Sequence, residues 1–489
     1  TLEKFGARTR LAGKLATIDR KGERWMEIPR NRSDRRSDFS KFLQNFTSAA
    51  IVDRLPKDDK HILIKYDDNQ NRTADIFKVN LETGAERRIA RGSSDISIEY
   101  LDEDGDPRLA TRFDAAAQAI VYLARLKGKG KWIEIGRIGA TLDSNADIFN
   151  PIMLAGDPSS NEFYVVSNHE TDTAAVYIYD LEQQAFGELQ FMHPQYDATG
   201  LWTTLEDKER KVVGFTYTGK AGDMYLVDGN EKALYEAIDL ILPDSRNRIV
   251  SRSEDGDTLI VRADGPQTPP TWYIVKDGRL DLLGQSMPFL EKEDLAKVEW
   301  VRYKARDGME IPALVTIPKG EGPFPLIVHP HGGPVARDYW GFDLWPQVLA
   351  NHGYLVVQPQ FRISSGLGKE HLKAGFGRWG YEMQDDLEDA LQYVVDKGYG
   401  KADEAAIFGW SYGGYAAFVG SMRSPNVFNC AIPGAGVSEK ARFRSYLAQI
   451  GDFADKTYRK TADGFDPLAN VDKVNVPVMV IHGELDERV

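Results

Sequence analysis

Over roughly the first 290 residues, apolar and polar positions alternate in short runs broken by turn-rich stretches. The runs at 61–66, 75–79, 163–166, 176–179 and 258–261 alternate or are β-branched and aromatic, which predicts half-buried strands. Several runs end in a polar turn that leads into another strand, at 79–84, 179–184, 226–230 and 275–279. The aromatic landmarks Phe77, Trp132, Tyr177, Tyr225 and Trp272 recur at roughly 45 to 55 residues, the spacing of four-stranded propeller blades. About six such units are visible, so 1–290 reads as a β-propeller. A pair of β-sandwiches with accidental spacing is the competing arrangement.

From about residue 291 the pattern changes. Apolar strands at 313–317, 325–329, 354–358, 405–409, 430–433 and 478–482 alternate with amphipathic stretches. In the stretch 383–395, Leu387, Leu391 and Val394 share one helical face. Strands buried on both faces with helices between them predict a parallel α/β sheet over 291–489.

Three stretches in this second part carry candidate chemistry. Gly409-Trp410-Ser411-Tyr412-Gly413 has the Gly-x-Ser-x-Gly form, with a strand before it and a helix pattern after it. That context is a nucleophile elbow, which exposes Ser411 in a sharp turn at the edge of the sheet. His329-Pro330-His331-Gly332-Gly333-Pro334 follows the strand at 325–329, where α/β-hydrolases keep part of an oxyanion hole. His331 reads as a loop brace rather than a base. His482-Gly483-Glu484-Leu485-Asp486 follows a late strand, and Asp486 lies 75 residues after Ser411, in the chain order of an acid. Glu484 is the rival carboxylate. Asp385 and Asp386 precede the nucleophile and read as a solvated face or a helix cap. All eight histidines lie at or before His482, so no base follows the acid within the chain.

Composition narrows the partners. The 489 residues suffice for two or three domains, with 42% apolar and 28% charged positions. A net charge of -13 argues against nucleic acid. The basic segments 30–36 and 127–131 read as solvated loops. No apolar run reaches the roughly 18 to 20 residues of a membrane span. No Cys/His cluster or phosphate-binding loop is present, so neither a metal nor an organic cofactor is implied. The lone Cys430 excludes an internal disulfide and reads as a buried thiol. The chain opens on Thr1 without a leader, which suggests processing or trimming and leaves cytoplasm and periplasm both open.

Taken together, His331-Gly332-Gly333-Pro334, Phe361-Arg362-Ile363-Ser364-Ser365-Gly366, Gly377-Arg378-Trp379-Gly380, Gly409-Trp410-Ser411-Tyr412-Gly413-Gly414 and His482-Gly483-Glu484-Leu485-Asp486-Glu487-Arg488-Val489 resemble the prolyl oligopeptidase family of serine peptidases. The acylaminoacyl-peptidase-like branch is the nearest in look. The resemblance implies an α/β-hydrolase domain capped by a propeller that admits short peptides. It implies Ser411 as nucleophile, Asp486 as acid, and the amides of Tyr412 and Gly333 as the oxyanion hole. It places the catalytic histidine beyond Val489, so the hydrolase part is expected to be truncated. The family's propeller has roughly seven blades, so the N-terminus is also expected to be incomplete. The paired glutamates with which dipeptidyl peptidases hold a free N-terminus have no adjacent Glu-Glu counterpart before residue 290. An esterase on the same scaffold, or an inactive fragment or binding module, are the alternatives. Oligomeric state stays open, with a homo-oligomer allowed.

Overall fold

The computed structural model describes residues 2–5, 8–11, 15–29, 49–67, 74–93, 95–102, 104–128, 130–139, 146–156, 160–206, 208–450, 461–486 and 488–489. The basic segment 30–36 lies outside the described residues. The first part is a series of antiparallel sheets whose strands lie in chain order. One comprises Ala50–Asp53, His61–Tyr66, Asp75–Asn80 and Glu86–Ala90. The next comprises Ile96–Leu101, Pro107–Asp114, Ala119–Ala124 and Ile133–Gly139. A third runs from Phe149–Leu154 to Ala185–Met192, and a fourth, three-stranded, from Ala198–Glu206 to Asp223–Leu226. A fifth runs from Arg246–Arg252 to Arg279–Gln285. Two-stranded ladders at Leu2–Phe5 with Arg8–Leu11, and at Leu15–Ile18 with Trp25–Ile28, precede them.

The inner strands are more buried than simple alternation predicts, and the side-chain parity explains why. Ile62, Ile64 and Tyr66 point into a core with Ile28, Phe77 and Val79. Leu63 and Ile76 point the other way, into a core with Ile98 and Leu101 of the next sheet. The pattern repeats farther on. Phe163 and Val165 meet Leu109 and Ile135 of the preceding sheet, while Val166 and Val176 meet Ala198 and Phe215 of the following one. The first and third sheets are thus covered on both faces, as period-two side chains on a stacked sheet require.

One expected turn between strands is a helix. Asp228 caps helix α1 (Gly229–Ile241), accepting from the amides of Asn230 and Glu231 at 2.9 and 3.0 Å. Good helix formers follow, and Tyr235 and Ile238 pack on Ile249, Leu259 and Val261. The turn signal of Asp-Gly-Asn was real, but the helical period after it outweighed the strand reading.

The second part is one six-stranded mixed sheet. Its strands are β1 (Lys297–Lys304), β2 (Glu310–Ile317), β3 (Phe324–Val328), β4 (Leu355–Pro359), β5 (Gly400–Trp410) and β6 (Cys430–Gly434), in the order β1-β2-β4-β3-β5-β6. β4, β3, β5 and β6 are parallel, and β1 and β2 are antiparallel additions at one edge. Beyond β6, single parallel bridges join Ala431 to Val478 and Gly434 to Ile481, where a strand at 478–482 is expected. The helices are α2 (Leu344–Asn351), α3 (Lys369–Lys373), α4 (Glu382–Asp396), α5 (Tyr412–Gly420) and α6 (Lys440–Ile450). α4 buries Met383, Leu387, Leu391 and Val394 against Leu326, Val328, Ile407 and Ala416. Among the described residues, no helix is long and apolar enough to cross a membrane. Cys430 is half-buried at the first position of β6, and burial raises its thiol pKa.

The expected solvated face at Asp385 and Asp386 is not one. Asp386 is fully buried and accepts from the Arg362 amide (2.9 Å), Nε (2.9 Å) and Nη2 (2.7 Å). Arg362 also pairs with Asp307 at 2.9 Å. Asp385 joins Glu388 and Asp389 in a cluster with Arg306 and Arg423. The helical wheel places Asp386 beside Met383 and Ala390 on the inward face, so only its distant partner makes that burial tolerable. Arg362→Leu alone strands the Asp386 carboxylate and is expected to cost about 3–5 kcal/mol. Urea denaturation measures it, and the double variant Arg362→Leu, Asp386→Leu is expected to recover much of the loss.

Candidate active site

Ser411 lies between the end of β5 and the start of α5, with φ +57°. That conformation is costly for a residue with a Cβ, about 1–3 kcal/mol, and persists only where the surroundings hold it. They do so through the backbone. The Ser411 amide donates to the Gly434 carbonyl at 2.9 Å, and its carbonyl accepts the Tyr415 amide at 2.9 Å. The half-buried Ser411 has no hydrogen-bond partner for its hydroxyl among the described residues.

Three backbone segments meet around this turn without room for side chains. A Cβ on Gly413 would lie 2.2 Å from the Pro330 carbonyl oxygen, and one on Gly409 2.7 Å from the carbonyl carbon of Gly413. A Cβ on Gly414 would lie 2.3 Å from the Gly434 oxygen, and one on Gly436 2.5 Å from Gly414. The glycines of the motif are therefore demanded by close packing as well as by the turn itself.

The Gly332-Gly333 loop lies against the elbow. A Cβ on Gly332 would be 3.2 Å from the Trp410 oxygen and 3.5 Å from Ser411 Cβ. Gly333 is exposed with φ +124°. Its amide has no hydrogen-bond partner among the described residues. Tyr412 is the first residue of α5, where the N–H has no intrahelical acceptor and the helix end favours negative charge. Its ring is buried, stacked on Phe361 at 5.2 Å and edge-on to Trp379 at 4.8 Å. Burial raises its phenol pKa, so the ring is a packing element and the amide is the group left for a ligand.

His331 braces this loop. Its Nδ1 lies 2.7 Å from the Gly332 carbonyl and its Nε2 2.8 Å from Ser364 Oγ. Burial lowers its pKa to about 4, so the ring is neutral. A carbonyl only accepts, so Nδ1 carries the proton, and Nε2 shares the one Ser364 hydroxyl proton with the Phe361 carbonyl, 2.7 Å from Oγ. The ring stacks on Phe361 at 4.4 Å. The neighbouring His329 directs Nδ1 at the Phe408 carbonyl, 2.7 Å away.

Asp486 lies at the same end of the sheet. Trp410 pairs with Gly434, Gly434 bridges to Ile481, and Asp486 follows in the next turn. The Ala435 amide donates to the Ile481 carbonyl at 2.8 Å. Asp486 Oδ1 accepts the amides of Arg488 and Val489 at 2.9 and 3.1 Å. Slight burial raises its pKa, but those Val489 and Arg488 amides outweigh it and hold the carboxyl below its ordinary value. His482 Nε2 is 4.0 Å from Oδ2. Glu484 is exposed in the same turn. Among the described residues, no group of three His, Cys, Asp or Glu is arranged to hold a metal ion.

The sequence shows Arg362 and Ser364 only as members of a motif, and Asp386 only as a solvated face or a helix cap. They sit in the Phe361-Arg362-Ile363-Ser364 motif and on α4, and together they hold the loop behind His331. The signal was an arginine next to a β-strand end with a carboxylate on an inward helical position.

Residues 340–489 match the model of the prolyl oligopeptidase family, and the resemblance read from the motifs is borne out. The chain is 28% identical over 477 residues to dipeptidyl aminopeptidase BIII of Pseudoxanthomonas mexicana, covering 91% of this chain and 66% of that protein. It is 27% identical over 472 residues to dipeptidyl peptidase family member 6 of Caenorhabditis elegans, covering 88% and 63%. The chain thus spans under two thirds of the length of these relatives. Its fold matches a puromycin-hydrolysing peptidase of Mycobacterium tuberculosis with a TM-score of 0.64 at 19% identity, over 89% of this chain and 70% of that one.

Two outcomes follow from the geometry. Gly413→Ala drives a Cβ into the Pro330 oxygen and is expected to destabilise by about 1–3 kcal/mol, with reduced labelling of Ser411 by a fluorophosphonate. The pKa of His331 is lowered from 6.5 to about 4, so the unfolded chain binds a proton that the folded one rejects in that window. Asp338 and Asp386, raised by burial to about 6, titrate with the opposite sign. The stability difference between wild type and His331→Gln isolates the imidazole. It is expected to shift against wild type by up to about 1.4 kcal/mol per pH unit as pH falls from 6.5 towards 4, and to be flat above 6.5. Urea titrations at pH 7.5, 6 and 5 check it.

Proposed function

We propose that the chain carries the nucleophile, the acid and the oxyanion amides of a serine peptidase that hydrolyses oligopeptides through an acyl-enzyme, in the manner of acylaminoacyl-peptidases and oligopeptidases. The observation that carries this reading is Ser411, held at φ +57° between a parallel strand and a helix N-terminus, with the Gly332-Gly333 loop packed against it. In this reading Ser411 Oγ attacks the peptide carbonyl carbon. A histidine that follows Asp486, outside residues 1–489, takes the serine proton, and Asp486 orients that histidine. The amides of Tyr412 and Gly333 bind the oxyanion, at about 2.7–4 kcal/mol per donor. The C–N bond then breaks, the histidine gives its proton to the leaving amine, and water releases the acyl group from the serine by the same route.

The N-terminal sheets would form the propeller over residues 1–290, with 291–489 as the α/β-hydrolase part. Two features support that arrangement. Three of the cores are each shared by two consecutive sheets. A cavity of about 580 Å³ is lined from four of the sheets, by Val52, Leu63, Tyr100, Met153 and Arg210 among others. Radial packing around a channel produces both. Such a cap favours peptides over folded proteins.

The test compares peptide p-nitroanilides with short p-nitrophenyl esters, using the full-length protein. Turnover of both is expected, and Ser411→Ala should abolish it. Hydrolysis of esters alone would transfer the site to an esterase, and absence of fluorophosphonate labelling at Ser411 would point to an inactive binding module.

A further inference from the structure

The Ser364-Ser365-Gly366 turn between β4 and α3 joins two parts of the molecule. Towards the elbow, Ser364 Oγ meets His331 Nε2 at 2.8 Å, and the Ser365 amide donates to the Ala336 carbonyl at 3.0 Å. These contacts grip the loop on either side of Gly332 and Gly333. Towards the N-terminal sheets, the Gly366 carbonyl accepts from Thr218 Oγ1 at 2.6 Å and from the Asp197 amide at 3.2 Å. Arg337, itself in the loop after Gly333, adds Nη1 to the same carbonyl at 3.4 Å and Nη2 to the Gly219 carbonyl at 2.7 Å. Asp172 lends a carboxylate to the start of α3, accepting the Glu370 amide at 2.7 Å.

The approach is close because two residues have no side chain. A Cβ on Gly366, at φ +81°, would lie 2.5 Å from Thr218 Cγ2. A Cβ on Gly368, at φ +92°, would lie 2.2 Å from Asp172 Oδ2. Thr218 and Asp172 belong to the N-terminal sheets, in the connections around Glu209–Tyr217 and Ala175–Asp180, and both are far in sequence from the loop they hold. From Thr218 to the Gly332-Gly333 loop the path crosses one short turn and one neutral imidazole. Its polar members, Thr218, Ser364 and His331, are all buried. A buried hydroxyl gives up its partner at a cost and so resists displacement.

We infer that Thr218 is a positioning residue: it carries the docking of the N-terminal sheets, through Gly366, Ser364 and His331, to the amide of Gly333. The inference rests on the proposed role of Gly333 as an oxyanion donor. Docked sheets set that amide at the distance the transition state needs, and loosened docking leaves Ser411 intact but its oxyanion donor misplaced.

Thr218→Val removes the donor and keeps the shape, and Thr218→Ser keeps the donor. In the full-length protein with a peptide p-nitroanilide, Thr218→Val is expected to lower kcat roughly tenfold with KM within about twofold, and Thr218→Ser to restore kcat. Deuterium uptake is expected to rise at 331–337 in the valine variant and to stay unchanged at 405–420. An unaltered kcat in Thr218→Val, or a loss that serine does not restore, overturns the inference. If the wild type neither turns over nor labels at Ser411, the functional reading fails by itself. The exchange experiment then decides this inference alone, and unchanged uptake at 331–337 overturns it.

Discussion

The second half of the molecule depends on one steric constraint: three stretches of backbone touch at the ends of β3, β5 and β6 with no side chains between them. Gly409, Gly413, Gly414 and Gly436 each lack the atom that would collide with a neighbouring main chain. The contact places Ser411 in a conformation that a free chain would avoid, and the hydrogen bond to the Gly434 carbonyl keeps it there. Local strain and tertiary packing therefore sit in the same few residues. The parallel sheet supplies the rigidity, since β3, β5 and β6 are pinned by a core that includes Val328, Ile407 and Ala431.

Around that contact the polar groups act mainly as struts. Arg362 and Asp386 tie the end of β4 to α4, which fixes the turn bearing Ser364. Burial keeps His331 neutral, so it bridges Gly332 and Ser364 without introducing a charge beside the nucleophile. The same surroundings make it a poor base, because a ring whose two nitrogens are both engaged has none left for Ser411. The N-terminal sheets reach this assembly through Gly366 and Gly368, where absent side chains again permit backbone approach.

Much of this was legible in the sequence. The strands at 325–329, 354–358 and 430–433 match observed strands to within a residue at each end, and those at 313–317 and 405–409 lie inside longer ones, because apolar runs of that length have few other ways to be buried. The helix at 383–395 is α4 to within a residue at each end. Reading failed where a partner was distant. Asp386 looks like its neighbour Asp385 in the sequence, and only the arrival of Arg362 from the end of β4 separates a buried strut from a more exposed cluster. The stretch after Asp228 failed for a different reason: a turn signal and a helix cap use the same residue types.

The sequence by itself determined the alternation of strands, the glycine pattern around Ser411 and the change of architecture near residue 291. These follow from local chemistry: period-two burial, the need for a bare Cα in a tight turn, and the spacing of apolar positions on a helix. The tertiary structure decided which faces of the N-terminal strands meet which neighbour. It made Asp386 buried and His331 neutral, and brought Thr218 to Gly366 across 148 residues of chain. Those outcomes depend on what desolvates a group and on what pairs with it, and both come from parts of the chain that no local pattern can name.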